Sequence, residues 1–120
     1  SPEDVFRILG PEMQGLKQEV VKVVLLDSRN RLIKIEEVSK GGLNANLVYP
    51  RDIFRKAIEA NAASIILVHN HPSGDPEPSD EDIRVTKAMM KASDFLGIEM
   101  QDHIIIGGNK FISLLGNNYI

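Results

Sequence analysis

The sequence predicts an α/β (α+β) fold in which a mixed central sheet is flanked by helices. Short apolar runs rich in valine and isoleucine, bounded by turn residues, have the length and composition of β-strands. Between them lie longer segments whose apolar residues recur at helical spacing. The chain has 120 residues, 42% of them hydrophobic, so one domain can bury a core without disulfides.

The first residues have the features of a helix start, because Pro2 stands at the first helical position and acidic residues follow it. The helix is expected to end near Gly10 and Pro11, since a proline disrupts a helix interior. Residues 1–18 are therefore predicted to form an N-terminal helix and lead-in. Residues 19–120 then form a single domain.

Two strands joined by a tight hairpin come next. Residues 19–27 and 31–39 are apolar runs, and residues 28–30 are turn-forming. A glycine-rich loop is expected at residues 40–46, where it could border a substrate groove, although a plain turn is the commoner meaning of two glycines. An amphipathic helix at residues 51–61 follows.

The stretch at residues 64–82 carries the clearest chemical signal. Residues 65–68 read as a short buried strand, which His69 and His71 continue. Because successive side chains of a strand alternate between faces, the two imidazoles project to one side and Asn70 turns away. A rigid, proline-rich loop at residues 72–78 follows the strand.

The last part of the chain is predicted to contain one helix and two strands. The helix begins after Ser79, runs to about residue 95 and is ended by Gly97. Residues 99–106 and 110–115 form the strands, with a hairpin turn at residues 107–109. Two adjacent methionines of this helix, Met89 and Met90, are predicted to pack in the core.

Two histidines from a strand and one carboxylate from the following helix make a three-ligand site with room for water. Catalytic zinc sites have this composition. The sequence contains no cysteine, so a metal here must be bound by histidine and carboxylate side chains. A second reading of Ser79 and Asp82 is an ordinary helix capping box, and both readings can hold together.

The spacing His69-x-His71, seven residues, Ser79, two residues, Asp82 resembles the JAMM (MPN+) metalloprotease motif. The surrounding residues resemble the bacterial RadC family from about Val21 onward. The resemblance is carried by Asn44, by Val-Tyr-Pro-Arg at 48–51, by Leu-Val-His-Asn-His-Pro-Ser-Gly-Asp at 67–75 and by Asp-His-Ile-Ile-Ile-Gly at 102–107. The chain departs from the family at Gly42, where a threonine is usual, and near Ser39, where an aromatic residue is usual.

This resemblance implies a JAMM/MPN (cytidine-deaminase-like) architecture and a Zn²⁺-dependent hydrolase of peptide or isopeptide bonds. It implies His69, His71 and Asp82 as metal ligands. It also implies an upstream glutamate as general base, which is placed at Glu36 with Glu37 as second choice; without the resemblance both would be read as surface acids. In related JAMM sites the hydroxyl matching Ser79 helps to bind the oxyanion of the tetrahedral intermediate.

Two other functions remain open at this point. A DNA-repair-associated processing or binding module is one, because of the name that RadC proteins carry. Fourteen basic against seventeen acidic residues, a net charge of −3, argue against a strongly electrostatic nucleic-acid binder. The other is an interaction scaffold that keeps the fold without chemistry. A peptide or protein substrate is the expected partner.

The composition and the apolar runs bear on the expected cellular location. No apolar run approaches the roughly 18 residues of a membrane span, and no signal peptide is recognised. Together with the lack of cysteine, these features favour a cytoplasmic protein without a membrane partner. No oligomeric state is predicted.

Asp102 and His103 precede an apolar strand segment. They could supply a partner that orients a metal ligand from behind. An equally plausible reading is a half-exposed histidine on a plain edge strand, since histidine burial is intermediate. Neither residue is assigned to the metal.

Overall fold

A computed structural model describes residues 1–41 and 48–120 of the chain. The predicted order of one helix followed by ββαβαββ is confirmed. Its elements are α1 (Pro2–Met13), β1 (Val20–Leu26), β2 (Leu32–Lys40), α2 (Pro50–Glu59), β3 (Ser64–Asn70), α3 (Asp80–Leu96), β4 (Glu99–Gly107) and β5 (Lys110–Ser113). The predicted loop at residues 40–46 lies outside the described residues from Gly42 onward, as do Asn44 and the departure at Gly42.

The five strands form one mixed sheet in the order β2-β1-β3-β4-β5. All neighbouring strands are antiparallel except β3 and β4, which are parallel. A parallel pair needs a long crossover, and α3 provides it between these two strands. The mixed central sheet flanked by helices is therefore confirmed.

Apolar residues cover both faces of this sheet. On one face, α2 and α3 pack over alternate residues of β1 and β3, which include Val23 and Leu67. On the other face, α1 packs over the residues between them, which include Val24 and Val68. Every residue of β3 is buried, as expected of a central strand covered on both sides.

Helix α1 is longer than the sequence predicted. It continues through Gly10 and Pro11 to Met13, so the predicted end near Gly10 and Pro11 is wrong. A proline in the last turn removes a single donor, and the backbone N–H of Gln14 still donates to the carbonyl of Gly10 at 2.9 Å. The fully buried side chain of Met13 keeps this last turn against the sheet.

The remaining boundaries differ little from the predictions. Strand β3 ends at Asn70, so His71 lies one residue past it, although the N–H of His71 still donates to the carbonyl of Ile106 at 2.8 Å. Strand β5 ends at Ser113, two residues early. Met89 is buried in the core between α2, α3 and the sheet, as predicted, and Met90 packs against that core. Within the described ranges, no helix is long and apolar enough to cross a bilayer.

The contrast between two positions on α3 tests this packing. Met89 is 1% exposed and Phe95 is 91% exposed. Met89→Ala should lower the free energy of unfolding by about 2–4 kcal/mol, because it leaves a cavity in the core. Phe95→Ala should change it by less than about 0.5 kcal/mol. Urea denaturation measures both, and equal effects would contradict the described burial.

Candidate metal centre

The site lies where β3 ends, on the face of the sheet that α2 and α3 cover. The side chain of His69 is fully buried and that of His71 is 17% exposed. Their Nε2 atoms are 3.1 Å apart, so the two imidazoles converge as their spacing predicted. The side chain of Asn70, between them, instead bonds the backbone of Gln18 and Val20.

Asp82 approaches these histidines from the first turn of α3. Its Oδ2 atom lies 3.1 Å from Nε2 of His71, and its Oδ1 atom lies 3.5 Å from Nε2 of His69. The carboxylate is 5% exposed. The structure therefore brings together all three predicted metal ligands.

Ser79 and Asp82 form a reciprocal capping box, which holds the carboxylate in place. The N–H of Asp82 donates to Oγ of Ser79 at 3.0 Å, and the N–H of Ser79 donates to Oδ2 of Asp82 at 2.9 Å. These bonds satisfy backbone donors at the helix start, which have no partner within the helix. Ser79 is thereby fixed next to the ligand, while its role towards an oxyanion stays a prediction.

Glu36 does not lie with the histidines. Its carboxylate is close to Nζ of Lys34 and Nζ of Lys56, at 3.7 and 3.9 Å. Glu36 pairs with Val23 of β1, whereas His69 belongs to the strand on the far side of β1. Because β1 lies between them, the backbones of β2 and β3 are two strand spacings, or about 10 Å, apart.

The second choice, Glu37, lies with Lys40 at 3.9 Å and is likewise not among the acids at the histidines. The prediction of a general base on β2, at Glu36 or Glu37, is therefore corrected, because neither side chain lies at the histidines.

Glu19 is the second acid at the site, and the sequence reasoning missed it. One carboxylate oxygen lies 3.3 Å from Nε2 of His69 and 3.8 Å from Nε2 of His71. Together with the two histidines and Asp82 it forms a group whose ligand atoms all lie within 4.8 Å of one another.

Antiparallel pairing of β1 with β3, in which Val21 faces His69, explains this position of Glu19. Such a pairing between distant segments is the signal that could have identified Glu19, but it is not visible in local sequence patterns.

Asn70 holds the chain on both sides of Glu19. Its side-chain oxygen accepts from the N–H of Val20 at 2.7 Å, and its side-chain nitrogen donates to the carbonyl of Gln18 at 3.1 Å. Asn70 is 1% exposed, so these bonds are shielded from water. The residue between the two histidines thus fixes the backbone that carries the acid beside them.

The rigid loop after β3 orients His71. Nδ1 of His71 lies 2.9 Å from the backbone carbonyl of Asp75. A carbonyl only accepts, so Nδ1 carries a hydrogen and donates it, and Nε2 of the neutral ring presents its lone pair to the acids. The loop itself sits close against β4 at Gly107.

The ionisable groups at the site influence one another strongly. Burial acts to raise the pKa of Asp82, but the close imidazoles of His69 and His71 and the backbone N–H of Ser79 outweigh it and hold that pKa well below its usual value. The hydrogen bond to Asp82 raises the pKa of His71, against partial burial, which lowers it. Nε2 of His71 therefore attracts either a proton or a metal ion, and the two compete for it.

His103 is buried directly behind His69. Its Nε2 atom lies 2.6 Å from Nδ1 of His69, and its residue is fully buried on β4, which is not an edge strand. The half-exposed reading of His103 is therefore wrong. Burial lowers the pKa of this imidazole well below its usual value, so the ring is neutral. The side chain of Asp102 points elsewhere, to Ser113.

The donor set fits a divalent metal ion. Two imidazole nitrogens and two carboxylates converge on one point, and all four groups offer lone pairs. In the described part of the chain, neither Glu19 nor Asp82 is paired with lysine or arginine. A cation between them would balance this concentration of negative charge.

Comparisons with known proteins agree with this geometry. The family model described as RadC-like JAB domain matches residues 1–119. A UPF0758 protein of Caldanaerobacter subterraneus is 53% identical over 119 residues, which cover 99% of this chain and 51% of that protein.

Two further relatives show a similar extent of match. A UPF0758 protein of Clostridium beijerinckii is 54% identical over 95% of this chain and 50% of its own length. One from Methanosarcina barkeri is 45% identical over 100% of this chain and 52% of its own length. The chain thus spans about half the length of the relatives it matches.

Substitution of Gly107 tests the support of His71. A Cβ at this position would lie 2.6 Å from the backbone nitrogen of Pro76, so the loop must move away from β4. Gly107→Ala should displace the Asp75 carbonyl and weaken the binding of a divalent metal ion at His71, probed with zinc, by about 10-fold, as loss of a ligand's outer partner does.

Gly15→Ala is the matched control for Gly107→Ala, because a Cβ at Gly15 meets nothing within 4 Å. Competition with a fluorescent chelator measures the zinc affinity of both variants. Wild-type affinity in Gly107→Ala would refute this role of the loop.

Proposed function

Because the chain belongs to the RadC family, we propose that it is a zinc-dependent hydrolase whose metal is bound by His69, His71 and Asp82. One observation carries the proposal: the ligand atoms of these residues and of Glu19 lie within 4.8 Å of one another. Three of the four groups are held by hydrogen bonds to other parts of the fold, so the arrangement is preorganised.

Zinc is the metal that the ligand types favour. Imidazole nitrogens combined with one carboxylate are the usual protein ligands of catalytic zinc, which keeps one further position open. Bound zinc would polarise a scissile carbonyl and lower the pKa of a water molecule to about 7.

Glu19 is the general base in this proposal. Its side chain is 30% exposed, so water and substrate can approach it, whereas Asp82 is enclosed. A carboxylate at this position accepts the proton of the attacking water and passes it to the leaving amine. Asn70 keeps the Glu19 backbone in position during both transfers.

Ser79 is proposed to donate a hydrogen bond to the oxyanion of the tetrahedral intermediate. Its Oγ atom accepts from the backbone N–H of Asp82. A hydroxyl has one hydrogen to donate in addition to its lone pairs, so the capping bond leaves that hydrogen available. The same serine therefore serves both as helix cap and as oxyanion donor.

Peptide or isopeptide bonds are the proposed substrates. Hydrolysis of an amide requires polarisation of the carbonyl, delivery of water and protonation of the leaving amine. The proposed metal, Glu19 and Ser79 supply these three functions. A peptide or protein partner is proposed on the same grounds, and the resemblance to JAMM metalloproteases supports it.

Two glutamates of the chain form a matched pair for a test. Glu19→Gln should abolish the base and lower hydrolysis of a fluorogenic peptide and isopeptide panel by about 10²-fold or more, with zinc retained. Glu36→Gln should stay within about 2-fold of wild type, because Glu36 faces lysines away from the histidines.

Two readouts decide the outcome of the glutamate pair. Hydrolysis is measured with zinc-loaded protein, before and after chelation, and zinc content by elemental mass spectrometry. Full activity in Glu19→Gln, or no zinc-dependent hydrolysis of any panel member by wild type, would overturn the proposal. Loss of zinc from Glu19→Gln would instead make Glu19 a ligand.

A further inference from the structure

A buried row of hydrogen bonds connects α3 with His69 through β4. Oγ1 of Thr86 lies 2.6 Å from the backbone carbonyl of Asp82 and 2.6 Å from Nδ1 of His103. Nε2 of His103 lies 2.6 Å from Nδ1 of His69. Thr86, His103 and His69 are all 0% exposed, so no water competes for these bonds.

The direction of the first two bonds follows from the carbonyl at one end. The carbonyl of Asp82 only accepts, so the hydroxyl of Thr86 donates its single hydrogen there. Towards His103, the oxygen of Thr86 is then an acceptor. Nδ1 of His103 must therefore carry a hydrogen and donate it to Thr86.

The direction of the last bond follows in the same way. Full burial keeps the His103 ring neutral, because a charged imidazole would lose its hydration there. A neutral ring with its hydrogen on Nδ1 has a lone pair on Nε2, which accepts from Nδ1 of His69. In the neutral ring of His69 the lone pair is then on Nε2, the atom that faces His71 and the acids.

We propose that Thr86 and His103 are positioning residues that fix the hydrogen of His69 on Nδ1 and thereby keep its Nε2 available to a metal ion. The inference rests on the proposed function for its purpose, but the hydrogen positions themselves do not depend on a metal. Neither residue touches the site where substrate would react.

These hydrogen bonds are needed because the neighbouring acids favour the tautomer of His69 that has its hydrogen on Nε2. Oε1 of Glu19 and Oδ1 of Asp82 lie 3.3 and 3.5 Å from Nε2 of His69. Negative charge at this distance attracts a hydrogen to Nε2, which would block the lone pair. The bond to His103 gives the Nδ1 hydrogen a buried acceptor and so favours the other tautomer.

The same bonds also set the distance between two ligands. Thr86 lies one helical turn after Asp82, and its hydroxyl bonds the carbonyl of that ligand. Through His103 on β4 this turn is tied to His69 on β3. Helix α3 therefore cannot move its carboxylate away from the sheet without breaking a buried bond.

Two substitutions at Thr86 separate the proposal from a packing effect. Thr86→Val has nearly the shape of threonine but lacks the hydroxyl, so His103 can move its hydrogen to Nε2 and donate to His69. Thr86→Ser keeps the hydroxyl and is the control.

In metal-free protein at alkaline pH, ¹⁵N NMR of the imidazoles reports which nitrogen of His69 carries the hydrogen. We expect Nδ1–H in wild type and Thr86→Ser, and a large Nε2–H population in Thr86→Val. Zinc affinity should fall about 10-fold in Thr86→Val and stay within about 3-fold in Thr86→Ser.

His103→Met provides a second variant should Thr86→Val fail to fold, and it should show the same change of tautomer. Nε2–H on His69 in wild type, or unchanged Nδ1–H in the folded Thr86→Val and His103→Met variants, would overturn the inference. A wild type without zinc affinity would overturn the proposed function alone, because the tautomer is measured without metal.

Discussion

The pairing of β3 with two different neighbours is the constraint on which the site depends. Antiparallel pairing with β1 brings the residue before β1 to the end of β3, and parallel pairing with β4 brings His103 behind His69. The crossover helix α3 then starts over the same end and delivers Asp82. Three separate segments meet at His69 and His71 because each is tied to one strand that is buried along its whole length.

Hydrogen-bond directions fix the hydrogen on Nδ1 of both imidazoles. His71 donates from Nδ1 to a loop carbonyl, and we infer that His69 donates from Nδ1 to a neutral histidine. Both imidazoles therefore offer Nε2 to the same point, where two carboxylates also converge. Four acceptors held together by the fold favour a cation, since each would otherwise repel the others.

Local patterns in the sequence were sufficient for the elements and for part of the site. Strand alternation predicted the convergence of His69 and His71, and helix capping together with the motif spacing placed Asp82 beside them. Glu19 could not be found in this way, because its position depends on a register between segments about 50 residues apart. Glu36 was a plausible acid on a neighbouring strand, but a strand inserted between β2 and β3 separates it from the histidines.

The metal content of the purified protein tests the central claim most directly. Zinc is offered to wild type, His71→Ala, Asp82→Ala and the control Glu36→Gln, excess metal is removed, and elemental mass spectrometry counts what remains. We expect about one zinc ion per chain in wild type and Glu36→Gln, and loss of zinc in the two ligand variants. A wild type that retains no metal, or ligand variants that retain as much as wild type, would contradict the assignment of this centre.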